Sequence, residues 1–231
     1  MGARRSYRAR VGEGQRVSRN LPQLLEAHRE ELATCRRCGH EDPAVLPILS
    51  EARSPKVMLV GQAPGKVELA DRRPFAGRAG RTLFRWLERA GLDEAVARRF
   101  IYIAAITRCY PGPSPAGRGD RVPTPRERAA CAVWLDTELM LIRPSLIIPV
   151  GRLAIDRFLG PQPLDAVVGR ELETRGEWGR SEVIALPHPS GASSWTNAPA
   201  HRALVDRALA LLADRFARLR IVRAERTRRT A

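Results

Sequence analysis

The chain has 231 residues, 44% of them hydrophobic, which is enough to bury one sizeable core in a single domain. No apolar run reaches the roughly eighteen residues of a membrane span, and the first residues lack the apolar stretch of a secretory signal, so we expect a cytoplasmic protein. The net charge of +15 indicates a polyanionic partner such as nucleic acid, although a compositional bias toward arginine would produce the same excess.

Both ends of the chain are rich in arginine and show no apolar period. We expect residues 1–20 to form a basic, disordered arm and residues 220–231 to form a basic tail, on either side of a domain of residues 21–219. Such arms could bind phosphate groups without sequence preference, or could simply be solvated.

Apolar runs and amphipathic stretches alternate along the domain. In chain order the pattern predicts a strand at 56–60, a helix at 80–90, a strand at 100–106, a helix from 125 to before Pro144, a strand at 145–150, a helix at 152–159, a strand at 182–186 and a helix at 201–218. Thr124 and Glu127 form a capping box with Pro125 at the first helical position. The alternation predicts an α/β domain with a four-stranded, mostly parallel sheet flanked by helices on both faces.

Glycine- and proline-rich segments follow the first and last predicted strands. These segments are GQAPG at residues 61–65 and PHPS at residues 187–190, and RPFAGRAG stands between them at residues 73–80. Since the carboxyl ends of parallel strands meet at one edge of a sheet, the first and last segments are expected at the same edge, where ligand sites form.

The chain contains four cysteines, and without a secretion signal they indicate metal ligands rather than disulfides. They are Cys35, Cys38, Cys109 and Cys131. Four thiolates suit an iron-sulfur cluster of the 4Fe-4S type, with zinc as the alternative. A zinc ribbon normally has two close pairs, whereas a long loop rich in proline and glycine separates the last two cysteines, which favours the cluster.

The order and spacing of these features resemble the uracil-DNA glycosylase superfamily, and within it the iron-sulfur family four, from about Cys35 to Phe216. The resemblance covers the glycine-rich and histidine segments, the cysteine positions and a third strand at residues 144–151. It implies the uracil-DNA glycosylase fold and a monofunctional DNA repair glycosylase. Such an enzyme flips a deaminated base, with uracil as the expected one, out of DNA and hydrolyses its N-glycosidic bond to leave an abasic site. It also implies that the four cysteines bind the 4Fe-4S cluster. The protein is further expected to be a monomer and to act on DNA at the nucleoid.

The resemblance also assigns roles to individual residues. Catalytic candidates are His188, which would contact the base carbonyl, together with Gln62 and Glu68. The base-binding candidates are Gly61, Gln62, Ala63, Phe75, Ala105 and His188, of which Phe75 would stack on the flipped base. The DNA-binding candidates are Pro189, Ser190, Gly191, Ala192, Ser193 and Trp195, the last as a wedge.

Two positions depart from family four. Where that family has a glutamate that orients or activates water, this chain has Gln62, whose amide cannot take a proton, so Glu68 or Asp71 would supply the carboxylate. Where that family has an asparagine that recognises uracil, counting back from the third cysteine gives Ala105. Family five also has small residues there and accepts a broader range of deaminated bases.

The loop between Cys109 and Cys131 is longer than in family four, around residues 114–120. It contains Arg118 and Arg121 and could contact DNA.

Three other functions fit parts of the sequence. One is a glycosylase with a different or broader damaged-base specificity, which Ala105 allows. Another is a DNA-damage-binding protein with little turnover. Its covalent variant, which family X forms through a histidine near the third cysteine, is disfavoured because no histidine occurs between His40 and His188. An oxidoreductase could use the cluster, but no dinucleotide-binding fingerprint accompanies it.

Overall fold

The structure is a computed structural model that describes residues 14–40, 42–117, 119–190 and 194–221. The first helix, α1 (Gly14–Ala33), begins inside the predicted basic arm of residues 1–20. The remainder of that arm, residues 1–13, and most of the predicted tail, residues 222–231, lie outside the described residues.

One sheet of five strands forms the centre of the domain, in the order β2-β1-β3-β5-β4. The strands are β1 (Val57–Gly61), β2 (Ile101–Ala105), β3 (Leu146–Pro149), β4 (Leu172–Gly176) and β5 (Gly179–Val183). All neighbouring pairs are parallel except β4 with β5, which form an antiparallel hairpin at one edge.

The four-stranded sheet predicted from the sequence lacks β4. The sequence of β4, LETRG, contains one large apolar residue, so no apolar run marks it, and as an edge strand it stays half-exposed. The strand predicted at 182–186 begins earlier, at Gly179, and Ala185 and Leu186 continue it only as isolated bridges.

Helices cover the sheet, and those predicted from the amphipathic pattern are present. After α1 they are α2 (Lys66–Asp71), α3 (Arg78–Arg89), α4 (Glu94–Phe100), α5 (Pro125–Ile142), α6 (Arg152–Leu159), α7 (Leu164–Val167) and α8 (Pro199–Arg218), with a 3-10 turn at Ser194–Asn197. The capping box of α5 is confirmed, since the Thr124 hydroxyl accepts the Glu127 N–H at 3.2 Å and the Glu127 carboxylate accepts the Thr124 N–H at 2.7 Å. None of the described helices combines the length and apolar character needed to span a bilayer.

The core lies on both faces of the sheet, as the continuous apolar runs of the strands predict. Val57 and Leu59 of β1 point into a cluster with α3, α4 and α8, whereas Met58 and Val60 point into a second cluster with α1, α5 and α6. This alternation confirms a sheet with helices on both faces.

The parallel strands bring their carboxyl ends to one edge. Gly61 pairs with Ala105 at the ends of β1 and β2, and Val150, just after β3, bridges to Leu186, just before the histidine segment. Segments far apart in sequence therefore meet at this edge, as expected.

Candidate active site and cysteine cavity

A cleft of about 720 Å³ opens at the carboxyl edge of the sheet. The site residues predicted from the sequence that line it are Gly61, Gln62, Ala63, Glu68, Phe75, Ala105, His188 and Ser190. Asp71, Pro189 and Trp195 are described but do not line the cleft, and Gly191, Ala192 and Ser193 lie outside the described residues.

Phe75 forms one wall of the cleft in an unusual backbone conformation. Its φ is +52°, in the left-handed region that residues other than glycine rarely adopt. A Cβ on Gly61 would lie 2.9 Å from the Phe75 ring, and a Cβ on Gly80 would lie 1.7 Å from the Phe75 carbonyl oxygen. The two glycines therefore allow the Phe75 segment to pack between the end of β1 and the start of α3.

Glu68 joins the two glycine-rich loops of the cleft. The carboxylate is buried, with one oxygen accepting the Gly65 N–H at 2.9 Å and the other accepting the Gly77 N–H at 2.9 Å. Gly65 and Gly77 are the N-caps of α2 and α3, so one carboxylate satisfies a backbone donor at each helix start. Because both oxygens of Glu68 already accept backbone hydrogen bonds, the geometry favours a structural role for this residue over the predicted catalytic role.

His188 presents a hydrogen-bond donor to the cleft. Its Nδ1 accepts the Ser190 N–H at 3.3 Å and lies 2.9 Å from the Ser190 hydroxyl. Because Nδ1 accepts, the ring proton belongs on Nε2. Burial lowers the pKa of His188, which keeps the ring neutral. A Cβ on Gly151 would lie 3.1 Å from His188 Cδ2, so this glycine allows the ring to approach the end of β3.

Asp120 is a cleft residue that sequence reasoning missed. One of its carboxylate oxygens would lie 2.7 Å from a Cβ built on Gly65, beside the Glu68 carboxylate, and Tyr110 is hydrogen-bonded to it. Asp120 ends the extra loop segment, which a bridge to Pro113 folds back on itself. The only signal in the sequence was the length of that loop, which does not predict the course of its backbone.

Arg121 forms an ion pair within the protein, and contact of its loop with DNA stays a prediction. Its guanidinium donates to both oxygens of Glu127, at 2.8 and 2.6 Å, and this pair fastens the loop to the first turn of α5. Arg118 lies outside the described residues.

Trp195 does not project freely as the wedge expectation requires. Its ring stacks on His201 with centroids 4.1 Å apart and packs against the core, and its carbonyl lies 2.8 Å from His201 Nδ1. The tryptophan anchors the segment that follows residues 191–193, and its use as a wedge stays a prediction.

The four cysteines line a second cavity, formed by the end of α1, the segment after β2 and α5, and none of the four forms a disulfide. Trp134 Nε1 donates to Cys35 Sγ at 3.1 Å, and the Arg108 N–H donates to Cys131 Sγ at 3.3 Å. A hydrogen bond with Cys131 lowers the pKa of Cys38 to about 7, and burial raises that of Cys109 to about 12.

The donor set of this cavity fits an iron-sulfur cluster. Thiolate sulfur is the ligand that such clusters require, and N–H donors to sulfur stabilise that form. Among the residues that the structure describes, no group of three or more His, Cys, Asp or Glu side chains is arranged to share a single metal ion.

Arg108 is the residue shared by the two cavities. Its fully buried guanidinium donates to Glu138 at 2.6 Å, and the same carboxylate oxygen accepts from Tyr102 at 2.9 Å and lies 3.2 Å from His28. Sequence reasoning did not identify this network, because its members come from α1, β2, the segment after β2 and α5.

Comparisons with a family profile and with individual proteins lead to uracil-DNA glycosylases. Residues 49–213 match the profile of the uracil DNA glycosylase superfamily. The chain is 29% identical to a type-4 uracil-DNA glycosylase of Thermotoga maritima over 73% of this chain and 82% of that protein. It is 31% identical to a type-4 enzyme of Archaeoglobus fulgidus over 69% and 78% of the two chains, and 31% identical to a type-5 enzyme of Thermus thermophilus over 61% and 67%.

Proposed function

This chain belongs to the uracil-DNA glycosylase superfamily, and on that basis we propose that it is a monofunctional DNA repair glycosylase that removes uracil from DNA. The observation that carries the proposal is the meeting of an aromatic wall, Phe75, and a neutral histidine donor, His188, in one cleft at the carboxyl edge of the sheet. We place its action on chromosomal DNA at the nucleoid, as a monomer.

The reaction breaks the bond between the sugar C1′ and the base nitrogen, and the electron pair leaves with the base. The flipped base stacks on Phe75, whose ring is held against Gly61. Negative charge develops on the base carbonyl, and the Nε2–H of His188 donates to it. Such a donor acts mainly in the transition state, because the charge is small before the bond breaks. Water then adds to C1′ and releases a proton.

Asp120 is the cleft carboxylate best placed to receive that proton. Gln62 has an amide, which can orient water but cannot take its proton. The oxygens of Glu68 already accept two backbone N–H groups. The Asp120 carboxylate, by contrast, is exposed at the rim of the cleft close to Gly65. We therefore assign water activation to Asp120 and water positioning to Gln62.

Ala105 supports a second candidate specificity. It lines the cleft at the end of β2, where an alanine cannot hydrogen-bond to the edge of a base. Discrimination between uracil and other deaminated bases is therefore expected to be weak. The second candidate is a glycosylase that accepts several deaminated bases, or one that prefers a base other than uracil.

A panel of duplex oligonucleotides tests the function. The strands carry uracil, hypoxanthine, xanthine or only undamaged bases, and alkali-labile abasic sites are measured with the wild-type protein and with His188→Ala. We expect cleavage at uracil that depends on His188. Cleavage restricted to another base would establish the second specificity, and tight binding to damaged duplex without any abasic product would identify a damage-binding protein instead.

We further propose that Cys35, Cys38, Cys109 and Cys131 hold a 4Fe-4S cluster, which supplies a structural link between α1, the end of β2 and α5. Protein purified without oxygen is expected to contain iron and sulfide in near-equal amounts. Cys131→Ser should lower both iron content and folding yield, since a lost ligand removes that link. Stoichiometric zinc without iron would contradict the proposal.

A further inference from the structure

The backbone of Phe75 requires an external support. Its left-handed φ of +52° is unfavourable for a residue with a side chain, and such conformations persist only where the surroundings impose them. Its carbonyl and that of Pro74 lie between α2 and α3, outside the regular hydrogen bonding of either helix. The cleft aromatic is therefore presented by a short segment with no regular secondary structure.

Arg98 of α4 provides this support from outside the cleft. Its guanidinium donates to the Pro74 carbonyl at 2.8 Å and to the Phe75 carbonyl at 3.4 Å, and it does not line the cleft. A planar guanidinium can donate hydrogen bonds to two adjacent carbonyls at once in a fixed geometry. A lysine ammonium lacks this fixed, planar arrangement of donors.

Arg98 is itself held by two further contacts. It is only 5% exposed, Glu94 accepts from its Nε at 2.8 Å, and its guanidinium lies 4.4 Å from the centre of the Phe84 ring. Phe84 belongs to the buried face of α3, so Arg98 joins α4, α3 and the Phe75 segment. A buried guanidinium with several partners has little freedom to move, which suits a positioning element.

We propose that Arg98 is a positioning residue that holds Phe75 in the conformation required to stack on the flipped base. The inference rests on the proposed function, because the base is the proposed ligand of Phe75. Without Arg98 the two carbonyls lose their donor, the Phe75 backbone relaxes toward ordinary φ values, and the ring leaves the base. The loss therefore falls on base flipping and cleavage, and binding to undamaged duplex is unchanged.

Arg98→Gln tests the proposal, with Arg99→Gln as the matched control. Arg99 is the next residue on α4 and is exposed, and its guanidinium lies 5.4 Å from the centre of the Phe100 ring. Its replacement therefore removes the same charge and leaves the hydrogen bonds to the Pro74 and Phe75 carbonyls in place. Single-turnover cleavage and the fluorescence of a 2-aminopurine placed beside the uracil report chemistry and flipping. We expect Arg98→Gln to lose about 10- to 100-fold in rate, with a reduced flipping signal, and Arg99→Gln to behave as wild type.

A double-mutant cycle with Phe75→Ala separates positioning from a general structural effect. If Arg98 acts through Phe75, the double variant loses no more rate than Phe75→Ala alone. Losses that add in the double variant, or an Arg98→Gln protein that flips and cleaves like Arg99→Gln, would overturn the proposal.

Glu94→Gln covers the case in which Arg98→Gln does not fold. Glu94 is half-exposed, so the variant is expected to fold, and it weakens only the orientation of Arg98. We expect a smaller loss of rate that disappears in the Phe75→Ala background, and an unchanged rate would count against the proposal. A wild-type protein that releases no base refutes the proposed function. A Phe75→Ala protein with full activity refutes the stacking role of Phe75 and with it the positioning role of Arg98, but leaves the proposed function standing.

Discussion

At the residue scale, the proposed chemistry of the cleft depends on a histidine whose tautomer is set by a neighbour in sequence. Because the Ser190 N–H donates to Nδ1, the Nε2–H of His188 is available as a donor, and burial disfavours a positive charge on the ring. In the proposed reaction this donor is already in position before charge develops on the base, and little reorganisation is needed.

Replacing His188 by alanine is expected to lower the single-turnover rate by about 100- to 1000-fold, the usual cost of removing a donor to a developing anion. The fold and duplex binding should be kept, since the ring lies at the cleft and not in the core clusters. Gln62→Ala serves as the comparison and should cost less. Full cleavage by His188→Ala would refute the assigned role.

Ala105 leads to a prediction about specificity. Ala105→Asn supplies an amide at the end of β2 and is expected to narrow the accepted bases toward uracil. Ala105→Val is the control, because it fills similar space without a hydrogen-bonding group. If the oligonucleotide panel gives the same profile for both variants, the position does not recognise the base.

At the element scale, the cleft consists of two helix starts joined by one carboxylate. Glu68 accepts the backbone N–H of each N-cap residue, Gly65 and Gly77. If α2 and α3 moved apart, at least one of these N–H groups would lose its acceptor. The exposed Asp120 carboxylate is close to the same glycine and is free of this structural duty toward the helices.

The two carboxylates are therefore expected to respond differently to amide substitution. Glu68→Gln keeps one oxygen that can accept a backbone N–H and replaces the other with an NH2 group, which cannot. It should therefore lower the free energy of unfolding by about 1–3 kcal/mol. Asp120→Asn should keep stability and lower the single-turnover rate by about 100-fold, as for loss of a general base. Asp71→Asn, at an exposed position away from the cleft, controls for charge. An Asp120→Asn protein as active as Asp71→Asn would show that the base lies elsewhere.

At the scale of the whole molecule, the net charge of +15 is the property most directly linked to a DNA partner. Exposed cations at the cleft include Lys66 and Arg78, at the N-terminal ends of α2 and α3. Other arginines are engaged within the protein, such as Arg121 with Glu127 and Arg89 with Asp206. The total charge therefore overstates the number of phosphate contacts.

Binding to undamaged duplex should weaken steeply between about 50 and 200 mM salt, because each phosphate contact releases counterions. Arg78→Gln is expected to reduce the slope of log K against log salt by about one. Arg89→Gln, at the other end of α3 and paired with Asp206, should leave it unchanged. A flat salt response in the wild type would mean that the arginine excess is compositional.

Local pattern was sufficient to predict much of this protein. Apolar runs predicted the parallel strands, and Thr124 with Glu127 predicted the start of α5, because both signals arise from residues a few positions apart. The meeting of Gly61 and His188 also followed from sequence, since parallel strands must place their carboxyl ends at one edge. The polar edge strand β4 lacked such a signal and was not predicted. The helices α1, α2, α4 and α7 were not predicted either.

Contacts between segments distant in sequence were decided only by the tertiary structure. The contacts of Asp120 with the Gly65 loop, of Glu68 with Gly77 and of Arg98 with the Phe75 carbonyls depend on how loops run and how helices pack. No hydrophobic period encodes them, because each is a polar contact formed only when the core has placed its backbone partners. Sequence alone could therefore predict that Phe75 and His188 lie together at the sheet edge, where both line the cleft. The contacts that hold Phe75, and the position of Asp120 near Gly65, emerged only from the packed structure.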